Sequence, residues 1–93
     1  MSKRSKKAKE IQEKIRQVLL HDWDPIGVSD IPEAQDEYDS YVGGIYRLLA
    51  SGASEYQIIE RLYNIETVSM GLNGNREGLK GVAEKLAKLD VSL

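Results

Sequence analysis

"DIPEAQDEYDSYVGGIYRLLASG", residues 30 to 52, is the stretch whose reading decides the fold. Its apolar residues Ala34, Tyr38, Tyr41, Val42, Ile45, Leu48 and Leu49 recur at spacings of three and four, which places them on one face of a helix. Strand alternation is absent. Asp30 and Glu33 have the three-residue spacing of a capping box, and Pro32 is tolerated in a first helical turn. The spacing therefore predicts a helix from near Asp30 to Ser51 or Gly52. Gly43 and Gly44 fall inside it at about 1 kcal/mol each relative to alanine. Such a pair invites close approach by another backbone, or a local kink.

Outward from this helix the same signals recur. Towards the C-terminus, Ser54 and Gln57 form a second capping box, and Ile58, Ile59, Leu62, Tyr63 and Ile65 make an apolar side. Gly71 is a fitting C-terminal cap. After the loop "GLNGN", a further helix opening near Asn75 carries Leu79, Val82, Ala83, Leu86 and Leu89 on one face, although Gly78 and Gly81 weaken it. Towards the N-terminus, Ile11, Ile15, Val18 and Leu19 define a helix from about Lys7 to His21, preceded by a basic, flexible segment over residues 1–7. Trp23 follows as a plug for the core. "DPIG" then suits a type I turn, with Asp24 first, Pro25 second and Gly27 last. Four amphipathic helices with short loops and no internal repeat predict an all-α fold, a single compact domain over residues 8–93. Leu48, Leu49, Leu62 and Leu86 are expected in its core.

Composition narrows the function. The 93 residues suffice for one domain. There is no cysteine, which excludes disulfides and thiolate metal sites. No apolar run approaches the roughly 18 residues of a membrane span. The N-terminal "MSKRSKKAKEIQEK" lacks the apolar region of a secretory signal, so the cytoplasm is the expected location. No nucleophile–base pair is readable, and "GLNGNREG" lacks the lysine of a phosphate loop, so neither an enzyme nor a cofactor is expected.

Charge is the feature that points somewhere. The net charge of −2 hides seven basic and two acidic groups in residues 1–16, against one basic and nine acidic groups in residues 17–60. Between residues 21 and 39 stand Asp22, Asp24, Asp30, Glu33, Asp36, Glu37 and Asp39, and no lysine or arginine occurs from Gln17 to Tyr46. One reading is a solvated helix start, since carboxylates in a first turn are favoured by the helix dipole. A second is a binding surface for a basic partner, in which Asp30, Glu33, Asp36, Glu37 and Asp39 imitate a phosphate track and steer a cationic cleft. Tyr38, or Trp23 beside it, would then supply an aromatic anchor. A third is a divalent-cation site from His21, Asp22 and Asp24, with or without Asp39, although the spacing fits no zinc or calcium pattern. The basic residues Lys3, Arg4, Lys6, Lys7 and Lys9 could touch nucleic acid, but the acidic body would repel a phosphate backbone, so no direct contact is expected.

"WDPIGV" at 23 to 28, followed by "PEAQDEYDSY" at 32 to 41, resembles a family of small bacterial proteins that pair a W-D-P-I-G turn with a D-E-Y-D helix. The likeness extends more loosely through "GIYRLLASGAS" to "IETVSMGL", about residues 10 to 72. Members of that family are single all-helical domains. Some resemble immunity proteins, which neutralise a cognate toxin in contact-dependent competition. The resemblance implies that Asp36, Glu37, Tyr38 and Asp39 belong to the functional pattern, and Trp23, Asp24, Pro25 and Gly27 to a shaping turn. The expected partner is a toxin domain, basic and nuclease-like. The oligomeric state is left open.

Overall fold

The computed structural model describes residues 3–28, 30–34 and 36–91. Helix α1 spans Lys3–Val18 and runs on into a single π-turn, Leu19–Trp23. A 3₁₀ turn at Pro32–Ala34 precedes α2, Asp39–Ala50. Helix α3 spans Glu55–Asn64 and also runs into a π-turn, Ile65–Ser69. A second 3₁₀ turn, Glu77–Leu79, leads into α4, Lys80–Ala87. No strand occurs among the described residues, so the expected all-α, four-helix domain is what forms. Helix α1 packs on α2 and α4, and α3 packs on α4 and α2. The shortest dimension is 19 Å, about two helix diameters, so the helices form two layers.

The apolar stripes meet as their spacing requires. Ile11, Ile15, Leu19 and Leu20 come from the first helix, Val42, Ile45 and Leu49 from α2, Ile58, Leu62 and Ile65 from the third, and Leu79, Val82, Ala83 and Leu86 from the last. Trp23, Val28 and Tyr38 close one end. Leu48, expected in this set, is only half-buried and lies against the core's edge. The Ser54–Gln57 capping box forms in both directions: Gln57 N–H donates to Ser54 Oγ at 3.2 Å, and Ser54 N–H donates to Gln57 Oε1 at 2.8 Å. Gly71 follows the second π-turn at φ +68°, the left-handed cap expected of it.

Three expectations need correction. First, α1 begins at Lys3 rather than Lys7. Met1 and Ser2, and the side chains of Lys3 and Arg4, lie outside the described residues. Second, the close approach expected over Gly43 and Gly44 comes from a side chain and not a backbone. A Cβ on Gly44 would stand 2.7 Å from Arg61 Nη2.

The third correction is the largest. Helix α2 starts at Asp39, nine residues after the expected start, with Tyr38 as its N-cap and no side-chain cap. The described residues between 24 and 41 instead make three-residue bonds: Gly27 N–H to Asp24 O at 3.2 Å, Ile31 to Val28 at 3.0 Å, Ala34 to Ile31 at 3.0 Å, Glu37 to Ala34 at 3.1 Å, Asp39 to Asp36 at 3.1 Å, and Tyr41 to Tyr38 at 2.9 Å. Two physical facts oppose an α-helix here. Glu33, Asp36 and Glu37 would stack like charges at three- and four-residue spacing, which destabilises a helix. Tyr38 is also held by Asp24, fourteen residues earlier, and that tie closes the segment into a loop.

Candidate functional site

The loop from Asp24 to Tyr38 is closed by a single carboxylate. Asp24 sits in the left-handed region at φ 34°, a conformation aspartate tolerates better than most residues. Its N–H completes the π-turn by donating to Leu19 O at 2.8 Å. Its Oδ1 accepts from Val28 N–H at 2.7 Å and from the Tyr38 hydroxyl at 2.8 Å. The same hydroxyl accepts from Ile26 N–H at 3.2 Å. Tyr38 is 1% exposed, and burial, with the Asp24 carboxylate as a further cause, holds its phenol well above the ordinary tyrosine range. The "DPIG" turn is present, with Gly27 at φ +69°, so the turn residues Trp23, Asp24, Pro25 and Gly27 shape this end of the molecule.

Below the turn the two π-turns meet. The Trp23 ring packs against Tyr38 at 5.3 Å and edge-on to Tyr41 at 6.3 Å. Its Nε1–H donates to Glu66 Oε2 at 3.0 Å. Each π-turn supplies one partner of this bond, and such turns often mark functional positions. Glu66 is 8% exposed, and its Oε1 has no hydrogen-bond partner among the described residues. An unmet buried acceptor costs about 1–3 kcal/mol, more when charged, so this carboxylate carries a cost that the fold alone does not explain. Glu66 lines a cleft of about 310 Å³ that opens beside Asp22, Leu72 and Asn75.

Above the turn lies the acidic surface, and the structure divides the expected set. Asp30, Glu33, Asp36 and Glu37 are exposed and form no ion pair with any described side chain. Asp39 pairs with Arg16 at 2.9 Å, so a cation from α1 answers part of the acidic charge. Asp22 pairs with Lys85 at 2.7 Å. Tyr38, expected to face a partner, is buried with its hydroxyl engaged and offers no surface. Trp23 is likewise internal. Of the expected set only Asp39 lies in α2, in its first turn; Glu33 stands in the 3₁₀ turn, and Asp30, Asp36 and Glu37 lie outside any helix.

Sequence reasoning missed the apolar part of this surface. Ile26 is 44% exposed and Ile31 is 45% exposed, on the same loop as the four unpaired carboxylates. Neither isoleucine belongs to a helical stripe, and that was the available signal. Glu66 was missed as well, although it falls on the apolar face of its helix, four residues after Leu62. The candidate cation ligands scatter. His21 Nε2 shares a hydrogen bond with Gln17 Oε1 at 2.9 Å, and Asp22, Asp24 and Asp39 each engage a different partner. Among the described residues no group of three or more His, Asp or Glu is placed to hold a metal ion. No described helix is long and apolar enough to cross a membrane. No family model matches the chain, and no curated protein or solved structure matches it significantly.

Proposed function

We propose that this chain is a non-catalytic binding protein of the immunity type, which captures a basic, nuclease-like toxin domain with the loop of residues 26–37. The observation that carries the reading is the presence, on one braced loop, of two exposed isoleucines with four exposed carboxylates that pair with no described cation. Apolar anchors inside a charged rim are the usual anatomy of a protein-binding patch. The carboxylates raise the encounter rate with a cationic cleft, and Ile26 and Ile31 supply the area whose burial slows departure. The tie from Asp24 to Tyr38 holds the loop in shape before binding, which reduces the ordering cost. The resemblance of "WDPIGV" and "DEYD" to immunity-like proteins supports the same reading from the sequence side.

A test is the affinity of a purified basic toxin domain, encoded beside this chain, for wild type and for Ile26→Ser with Ile31→Ser. The expected result is a loss of affinity of about tenfold or more, carried mainly by faster dissociation. Unchanged affinity would remove the loop from the interface. A second reading is a regulatory helical module whose acidic face is only solvated. Its support is that Asp22, Asp24 and Asp39 are engaged within the chain. It expects no partner that senses either the isoleucines or the outer carboxylates.

A further inference from the structure

The geometry points to a second site, independent of the acidic loop: the cleft beneath the "DPIG" turn takes a guanidinium group, with Glu66 as its acceptor at the base. Three observations carry this. Glu66 is more than nine-tenths buried, lines the cleft, and has one oxygen fixed by the Trp23 indole while the other has no partner among the described residues. The cleft, about 310 Å³, is of the size that admits a small organic group, and Pro25, Leu72, Leu79 and Val82 give it apolar walls. Among the described residues no cation pairs with Glu66: Arg76 lies 3.8 Å over the Tyr63 ring and pairs with Glu60 at 2.6 Å, and Lys85 pairs with Asp22 at the rim of the cleft at 2.7 Å.

The chemistry of the occupant follows from the acceptors. A buried carboxylate with an unmet oxygen calls for a donor, and a carboxylate calls for a cationic one. A metal ion would need more ligands than the cleft supplies, since no metal-competent cluster of acidic or histidine side chains exists among the described residues. A guanidinium is planar and weakly hydrated, carries several N–H donors, and packs its faces on apolar walls, which fits a buried carboxylate lined by leucine, valine and proline. Oε1 is itself screened from solvent, so entry has to displace a wall. Leu72, Gly74 and Asn75 form one wall of the cleft.

The chain's single Trp makes the test direct, because the Trp23 indole N–H is a unique resonance bonded to the proposed acceptor. Full-length protein is titrated with N-acetyl-arginine amide, with the neutral isostere N-acetyl-citrulline amide, and with N-acetyl-lysine amide. The expected result is a saturable shift of the indole signal with the arginine compound, a weaker one with lysine, and none with citrulline. Glu66→Gln keeps an acceptor for Trp23 and should weaken arginine binding at least tenfold, as loss of a charge-assisted bond implies. Gly78→Leu places bulk at a cleft-lining position where a Cβ meets nothing closer than 3.8 Å, and should block binding in a protein that still folds. An alanine peptide bearing one arginine separates the sources. Tighter binding than the amide assigns a protein side chain as occupant, and equal binding assigns a small molecule; both keep the guanidinium site. Equal responses to arginine and citrulline, equal responses to arginine and lysine, no saturable shift, or full affinity in folded Glu66→Gln would each overturn it. Failure here leaves the loop reading untouched, because no residue of the outer carboxylate set lines the cleft.

Discussion

The acidic residues between 21 and 39 fall into two groups that behave differently. The inner group, Asp22, Asp24 and Asp39, is engaged within the chain: with Lys85, with Tyr38 and Val28, and with Arg16. The outer group, Asp30, Glu33, Asp36 and Glu37, is exposed and meets no described cation. The same residue type in one short stretch thus serves two ends. Asp24 closes the loop, Asp22 and Asp39 pair with cations of α4 and α1, and the outer carboxylates are displayed by the loop that also carries Ile26 and Ile31. A negatively charged segment is therefore not one feature, and its members should separate under mutation.

The largest separation is expected at Asp24. Asp24→Ala removes the acceptor of two groups, the Val28 N–H and the Tyr38 hydroxyl, and leaves alanine in a left-handed conformation. At about 1–3 kcal/mol for each orphaned group, the cost is about 4 kcal/mol, a large part of the stability of a small domain. Asp24→Asn keeps an oxygen and tolerates the backbone, so urea unfolding should place it clearly between wild type and Asp24→Ala. An equal loss in both would make charge, not bonding, the role of Asp24.

Tyr38→Phe comes next, at about 2 kcal/mol at neutral pH for a lost hydrogen bond to a charged group. It also has a pH signature. The folded-state phenol titrates above its unfolded value near 10, so its contribution is complete below about pH 10 and declines as pH rises above that value, where only the unfolded state releases the proton. The stability gap between wild type and Tyr38→Phe should therefore narrow above about pH 10. A constant gap would mean that the hydroxyl is not buried against Asp24.

Gly27→Val is a smaller perturbation. A Cβ there meets nothing within 4 Å, so the cost is conformational alone, about 1–2 kcal/mol for a β-branched residue at φ +69°. Thermal melting measures it, and loss of partner binding without loss of stability would reassign the turn as contact surface. The smallest effect is expected from the outer group. Asp30→Asn, Glu33→Gln, Asp36→Asn and Glu37→Gln together should change stability by no more than about 0.5 kcal/mol, as ordinary surface substitutions do.

Much of the fold was legible because it rests on short-range signals. The Ser54–Gln57 box, the Gly71 cap, the "DPIG" turn and the stripes that hold Leu62 and Leu86 all involve residues within a few positions of one another. What escaped reading was long-range. The helix expected from Asp30 begins at Asp39 because Tyr38 is tied to a residue fourteen positions earlier, and periodicity does not register such a tie. Trp23 was legible as a plug, but its partner Glu66 lies forty-three residues away. Both π-turns are one-residue register changes without a sequence mark of their own. At the candidate site, the outer carboxylates were legible as charge. Their division from the inner group was not, because Arg16 and Lys85 arrive from other helices.

The central claim is that the outer carboxylates act on a partner and not on the fold. Its most direct test is the association rate of a purified basic toxin domain with wild type and with the Asp30→Asn, Glu33→Gln, Asp36→Asn, Glu37→Gln variant, at low and high salt. The account predicts association slowed about tenfold or more at low salt, with a flatter salt dependence, because steering by exposed charge is screened as ionic strength rises. Equal rates and equal salt slopes for the two proteins would contradict it.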